Sequence, residues 1–312
     1  MLHVLNGDAT ATVFADAGLP GERLVWRDIL VEGPVPAAAH TPLPERTAYL
    51  AERLGIDPAE YTRAIEDQTA YLASAPSHDE VVLWFEQDLF CAVTLWSLLD
   101  WLGRHAPATR LSLVYPAVDG QTRGLGAMTA PQLSALFDTR AVVTDEMRAL
   151  GVSAWAAYAS PEPLTTLTLR DEPALPFVAG AFRCHLGRFP SAANGLNEVE
   201  TVTLEILRAG RRTFGELFRE VSADPRVRSH GMGDTQLASI LRRLTPLVDV
   251  AGDDLMQASF DLTLRGAAVL AGQEDWLRIH AIDTWLGGVH LSQGRPLWRW
   301  DGVASRLVSS GS

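Results

Sequence analysis

Short apolar runs, each closed by a polar or glycine-bearing turn and followed by residues at helical spacing, recur along the first part of the chain. Leu2 to Leu5 ends at Asn6-Gly7-Asp8 and gives way to TATVFADAG, where Val13 and Phe14 mark a weak helical face before Gly18. That is a strand, a tight turn and a helix. The pattern returns at Arg23 to Trp26, stopped by Arg27-Asp28, and at Glu80 to Phe85, where EVVLWF runs into Glu86-Gln87-Asp88 and a long helix. A fourth strand is expected at Arg110 to Tyr115, stopped by Pro116. Strands alternating with helices predict right-handed crossovers and a mostly parallel, Rossmann-like α/β sheet. Ligands of such sheets lie beyond the carboxyl ends of the strands. Between the second and third strands runs a Pro-rich loop, ILVEGPVPAAAHTPLPER, followed by helical stretches with Tyr49, Leu50 and Leu54, then Tyr61, Ile65 and Leu72. A loop this long is expected to carry function, with Glu32 and His40 covering the strand ends.

From Pro131 to Pro190 the pattern is helical. Further on, Asn197 stands three residues before Glu200, and Val199, Val202 and Ile206 recur at helical spacing, which predicts a capped helix. Thr213 with Glu216 repeats the capping box, and Asp234 is expected to cap a third helix with Leu237, Ile240, Leu241 and Leu244 on one face. LVDV and LMQASFDL then form a hairpin. Three helices followed by a two-stranded ribbon follow the winged-helix plan, with Thr235, Gln236, Ser239, Arg242 and Arg243 on the outward side of the third helix. The last segment, GGVHLSQGRPLWRWD, predicts a Trp-rich hairpin turning at Ser292-Gln293-Gly294 and packing on the rim of the α/β domain. The expected divisions are an α/β domain over 1–128, a helical connection over 129–195, a winged-helix-like α+β domain over 196–275, and the Trp-rich hairpin over 276–312.

Composition narrows the chemistry. All 26 basic residues are Arg, which removes a Schiff-base lysine and a P-loop lysine together. The formal charge of −12 argues against a free-standing nucleic-acid binder. Between Asn197 and Trp276, nine Arg face thirteen Asp and Glu, so the three-helix segment is expected to pack on the first domain rather than on DNA. Cys91 and Cys184 lie in apolar helical segments and read as buried thiols. With no targeting segment and no apolar run long enough to span a bilayer, a soluble cytoplasmic protein is expected.

Asp8, Asp28, Glu86 and Asp88 each stand at or just beyond the end of an expected strand, where a parallel sheet would gather them on one rim. Carboxylates gathered there hold Mg²⁺ or Mn²⁺, and the metal clamps a phosphate and activates a water. Asp8, Glu86 and Asp88 are the metal-ligand candidates. Asp8, Asp28, Glu86 and His290 are the catalytic ones, and Asn6, Gly7, Glu32 and Arg299 the ligand-binding ones. Each carboxylate also has a plainer reading: Asp8 capping the first helix, Asp88 capping the helix at Leu89, and Asp28 fastening the loop to an Arg. His3, inside the first strand, reads as a satisfied core residue. No Gly-x-Ser-x-Gly elbow, His-Glu-x-x-His helix or Cys-x-x-Cys pair occurs.

The expected function is an enzyme, a hydrolase or transferase, acting on a phosphorylated or nucleotide-like small molecule at the strand rim. The alternative is a ligand-sensing winged-helix regulator that touches DNA through Arg242 and Arg243; a partner-binding role is a third class. At HVLNGDA, WRDILVEGP, LWFEQDLFC, LPFVAGAFRCHLGRFP, NGLNEVE and GGVHL…WRWD, the chain resembles the bacterial proteins grouped as domain of unknown function 1835. The resemblance extends over nearly all residues and implies a shared fold and a recurrent set of polar positions.

Overall fold

The computed structural model describes residues 1–35, 43–117 and 124–310; His40 lies outside them. In chain order the elements begin with β1 (Leu2–Leu5), α1 (Asp8–Asp16), β2 (Glu22–Val25), α2 (Pro44–Leu54), α3 (Pro58–Leu72), β3 (Glu80–Trp84), α4 (Leu89–His105) and β4 (Arg110–Val114). Next come α5 (Ala130–Asp138), β5 (Ala141–Val142), α6 (Asp145–Tyr158) and α7 (Val178–Gly187). The second half holds α8 (Glu198–Arg208), β6 (Arg212–Thr213), α9 (Phe214–Ala223), α10 (Asp234–Arg243), β7 (Val248–Ala251), β8 (Ser259–Leu262) and α11 (Leu264–Leu270). It closes with α12 (Trp276–Ile279), β9 (Asp283–Leu286), β10 (Val289–Ser292), β11 (Leu297–Asp301) and β12 (Arg306–Ser310).

The first five strands form one sheet in the order β2-β1-β3-β4-β5, parallel except for β5, which runs antiparallel to β4. The chain is thus a mixed α/β protein with a mostly parallel sheet. Strand periodicity divides the sheet's side chains between two faces. Leu2, Val4, Val81 and Leu83 join one core cluster with α4, while Leu5, Val82 and Trp84 meet Phe14 and Leu133 in another. The near-continuous apolar text of α4 has its cause here, because this helix is enclosed by the sheet's core and by α6 and α7. His3 is buried on the second face, where Nδ1 accepts from Trp84 Nε1 at 3.1 Å and Nε2 lies 3.0 Å from the Pro20 carbonyl.

In the second half, α8, α9 and α10 surround a core with Leu217, Leu241 and Phe260, beside a three-stranded sheet in the order β6-β8-β7. The boxes expected at Asn197/Glu200 and Thr213/Glu216 form. The third helix differs: Gly233 occupies its N-cap, its N–H donates to Gln236 Oε1 at 2.9 Å, and Asp234 is the first helical residue.

The expected C-terminal hairpin is two hairpins, β9–β10 and β11–β12. The chain turns at Gln293-Gly294 as expected, and an earlier turn at Gly287-Gly288 closes β9–β10 with its backbone pressed on the end of α6. A Cβ at Gly287 would stand 2.3 Å from the Tyr158 carbonyl oxygen, and one at Gly288 2.1 Å from that of Ala159. The Trp residues also separate. Trp276 enters the three-helix core, while Trp298 and Trp300 cover Leu186, Phe189 and Leu291. No described helix is long and apolar enough to cross a membrane.

Candidate functional site

The strand order reverses direction between β1 and β3, and in open parallel sheets ligands sit beyond the carboxyl ends of the strands at such a point. Asn6 follows β1 and Glu86 follows β3, and the two meet there. Asn6 Nδ2 donates to Glu86 Oε1 at 3.2 Å, and Asn6 Oδ1 accepts from Thr10 Oγ1 at 2.6 Å, which fixes the amide's orientation. The Leu125 N–H donates to Glu86 Oε1 at 2.7 Å. Gly124 lies against the carboxylate so closely that a Cβ would come within 2.9 Å of Oε2. Burial pushes the Glu86 carboxyl above its ordinary range, against the opposing bonds from Leu125 and Asn6.

Asp88 is buried and caps α4, accepting from the Cys91 N–H at 2.8 Å. Burial, then the neighbouring Glu86, pushes its carboxyl up to about 7. The Cys91 thiol is raised well above its usual value by burial and by both carboxylates, which leaves it a buried, inert thiol. Cys184 is likewise free and buried.

The other expected site residues are bound elsewhere. Asp8 does not cap α1; Gly7, at φ 152°, is the N-cap, with no side-chain cap bond. Asp8 instead forms an exposed ion pair with Arg27 at 2.7 Å. Asp28 is buried beneath the loop, accepting from Arg46 Nη2 at 2.7 Å and Tyr61 Oη at 2.9 Å. Arg46 also donates to the carbonyls of Ile29, Glu32 and Pro34, so this pair fastens the loop and is a structural anchor. Burial opposes the Arg46 charge, but Asp28 and Tyr61 outweigh it and hold the guanidinium more firmly protonated than usual.

His290 stacks on Trp285 with ring centroids 4.3 Å apart and bonds to Asp283 at 2.6 Å. Arg299 bonds to Asp275 at 2.6 Å rather than to an acid of the strand rim. The β9–β10 pairing sets His290 opposite Trp285 and beside Asp283, away from the strand rim. Among the described residues, no three His, Cys, Asp or Glu side chains gather as a metal-holding group.

Glu32 belongs to a second place. Its Oε1 accepts from Arg188 Nη2 at 3.0 Å and from Gln236 Nε2 at 2.9 Å, joining the loop to the end of α7 and to α10. These groups line a cleft of about 90 Å³ where the sheet body, the three-helix body and α12–β9 meet. Gln236, Ser239 and Arg243 line it too, so most of the helix face expected to point outward is directed at the first body. Arg243 bonds to Glu200 at 3.2 Å, and Arg242 reaches the Arg53 carbonyl at 3.0 Å.

Sequence reasoning missed Arg53, Arg188, His230 and His280 in this cleft. One signal was present: FRCHLGRF sets His185 and Arg188 three apart in an otherwise apolar run. His185 is fully buried against Tyr158 and Phe189, and its Nδ1 has no hydrogen-bond partner among the described residues. Burial, with Arg188 and His230 nearby, pushes its pKa down to about 3, so the ring is neutral.

Compared with known proteins, the chain matches no family model, and no curated protein matches it either.

Proposed function

We propose that this protein is a hydrolase or transferase acting on a phosphorylated or nucleotide-like small molecule in the crevice between β1 and β3. The observation that carries the reading is the meeting of Asn6, Glu86 and the Leu125 N–H at the point where the strand order reverses. At the mouth of that crevice, α1 begins after Gly7 without a side-chain cap, so its first N–H groups and the Arg27 guanidinium are the anion-facing groups. Glu86, raised by burial, serves as the acid or base, and Asn6 orients it.

Asp8 is committed to Arg27 and Asp88 to the start of α4, so the carboxylates do not form the cluster on which Mg²⁺ or Mn²⁺ chemistry would rest. The reading therefore runs through acid–base chemistry, and metal dependence is a separate arm of its test. The sheet is Rossmann-like in this reading and the second half winged-helix-like, with a third, short strand beside the ribbon. The likeness to domain of unknown function 1835 belongs to the same proposal. The regulator alternative draws support from the three-helix body with its β-ribbon, but α10 directs Gln236, Ser239 and Arg243 inward, which leaves Arg242 and Thr235 a poor DNA surface.

Calorimetric titration with AMP, with and without Mg²⁺ or Mn²⁺, tests the proposal. Wild type is expected to bind AMP, Arg27→Gln to bind it at least several-fold more weakly, and Asp8→Asn to retain binding. Equal binding by wild type and Arg27→Gln, or none by either, overturns it.

A further inference from the structure

The cleft between the two bodies is built from segments far apart in the chain, and its charged groups are unevenly satisfied. At one end Glu32 is held by Arg188 and Gln236. At the other, Glu200 receives Arg243 on Oε1 and the Asn197 N–H on Oε2, and Asp283 receives His290. Each of these acids has its partner. Arg53 lines the same cleft and differs: no carboxylate stands within ion-pair distance of it among the described residues. Its Nη2 donates to the Asp283 carbonyl, and its guanidinium stands 5.5 Å from the centre of the Tyr49 ring. Its Nε is out of solvent with no hydrogen-bond acceptor among the described residues. A guanidinium carries five donors in a fixed fork, and only Nη2 of Arg53 has an acceptor among the described residues. An oxyanion is the acceptor that matches the fork and its charge.

The surroundings favour the same occupant. His280 stacks on Trp276, centroids 4.8 Å apart and planes 4° apart, and lines the cleft together with Arg243, Glu200 and Arg53. Arg243 spends one bond on Glu200, so donors remain on it. Leu54, Ile240 and Leu286 supply apolar wall between these groups. Convergent donors in an apolar-walled cleft where separate bodies meet are the usual make-up of a small-molecule site.

We propose that this cleft binds a small oxyanion, a phosphoryl or carboxylate group, through Arg53 with help from Arg243 and His280. The site is separate from the β1/β3 crevice and does not depend on the reading given to Glu86. Because its walls come from both bodies, an anion bound there ties α2 to α10 and stabilises their docking.

The test uses the full chain, with inorganic phosphate and malonate as probes at constant ionic strength set with potassium chloride. Melting temperature is expected to rise with at least one anion in wild type and in Arg27→Gln and Glu86→Gln. In Arg53→Gln the half-saturating concentration is expected to rise at least tenfold. The Arg53 Nε–H resonance of wild type reports the same event without any substitution and is expected to shift saturably with the anion. The more effective of the two anions assigns the phosphoryl or carboxylate source. An Arg53 resonance that does not move, or a response in Arg53→Gln equal to that of wild type, overturns the proposal.

Discussion

At the scale of single residues, burial separates carboxylates that look equivalent in sequence. Asp8 and Arg27 are both more than half exposed, whereas Asp28 and Arg46 are nearly sealed. Asp8→Asn is therefore expected to change stability by less than about 1 kcal/mol. Asp28→Asn leaves a buried guanidinium without its counter-ion and is expected to cost about 3–5 kcal/mol in urea unfolding. A similar loss for both would show that the Arg46 pair does not anchor the loop. Asp28 was legible as a candidate because it ends a strand, but its partner was not, since Arg46 follows only after the Pro-rich loop. His185 gives a pH signature of its own. Its folded pKa, down to about 3, lies below the unfolded value of 6.5, so the stability it contributes is present above 6.5 and is lost as pH falls. His185→Gln is expected to unfold with a flatter pH dependence than wild type below pH 6.5, and parallel profiles would refute the neutral buried ring.

At the scale of elements, the start of α4 couples a cap to a proton. The folded pKa of Asp88, about 7, lies above its ordinary 3.8, so its protonated form favours the fold. Stability from this group is complete below about pH 4 and is lost as pH rises towards 7. Asp88→Asn keeps a capping side chain and carries no proton. The stability of wild type relative to this variant is expected to fall by a few kcal/mol across that interval, measured by urea unfolding at each pH. A constant difference would mean that Asp88 is not raised. Gly231 tests the same contact from the other body. Its φ is 64°, and a Cβ there would stand 2.6 Å from Asp88 Oδ1. Gly231→Ala is expected to cost about 1–3 kcal/mol, read by thermal or urea unfolding. Elements with strong local pattern were legible: β1, β3 and β4 from their apolar runs, and α8 and α9 from their capping boxes. β5 and β6 have two residues each, too few for an alternation to register, and neither was expected. The β9–β10 hairpin escaped because its turn is set by the close approach of Gly287 and Gly288 to α6, a contact no local pattern carries.

At the scale of the molecule, a sheet with a reversal point is joined to a three-helix body that closes over one end of its loop. The crevice at Asn6 and Glu86 was partly legible, because residues ending adjacent strands of a parallel sheet must converge. The cleft at Glu32 was not: Arg188 and Gln236 reach that carboxylate across 156 and 204 residues of sequence. The phosphorylated ligand proposed above enters the β1/β3 crevice, where the amide of Leu125, bonded directly to Glu86, is its nearest reporter. Amide NMR spectra of the labelled full chain, recorded during titration with AMP, test the claim most directly. Saturable shifts are expected at Leu125 and across Gly7 to Thr10. Shifts confined to other parts of the protein, or a spectrum that AMP leaves unchanged, would contradict it.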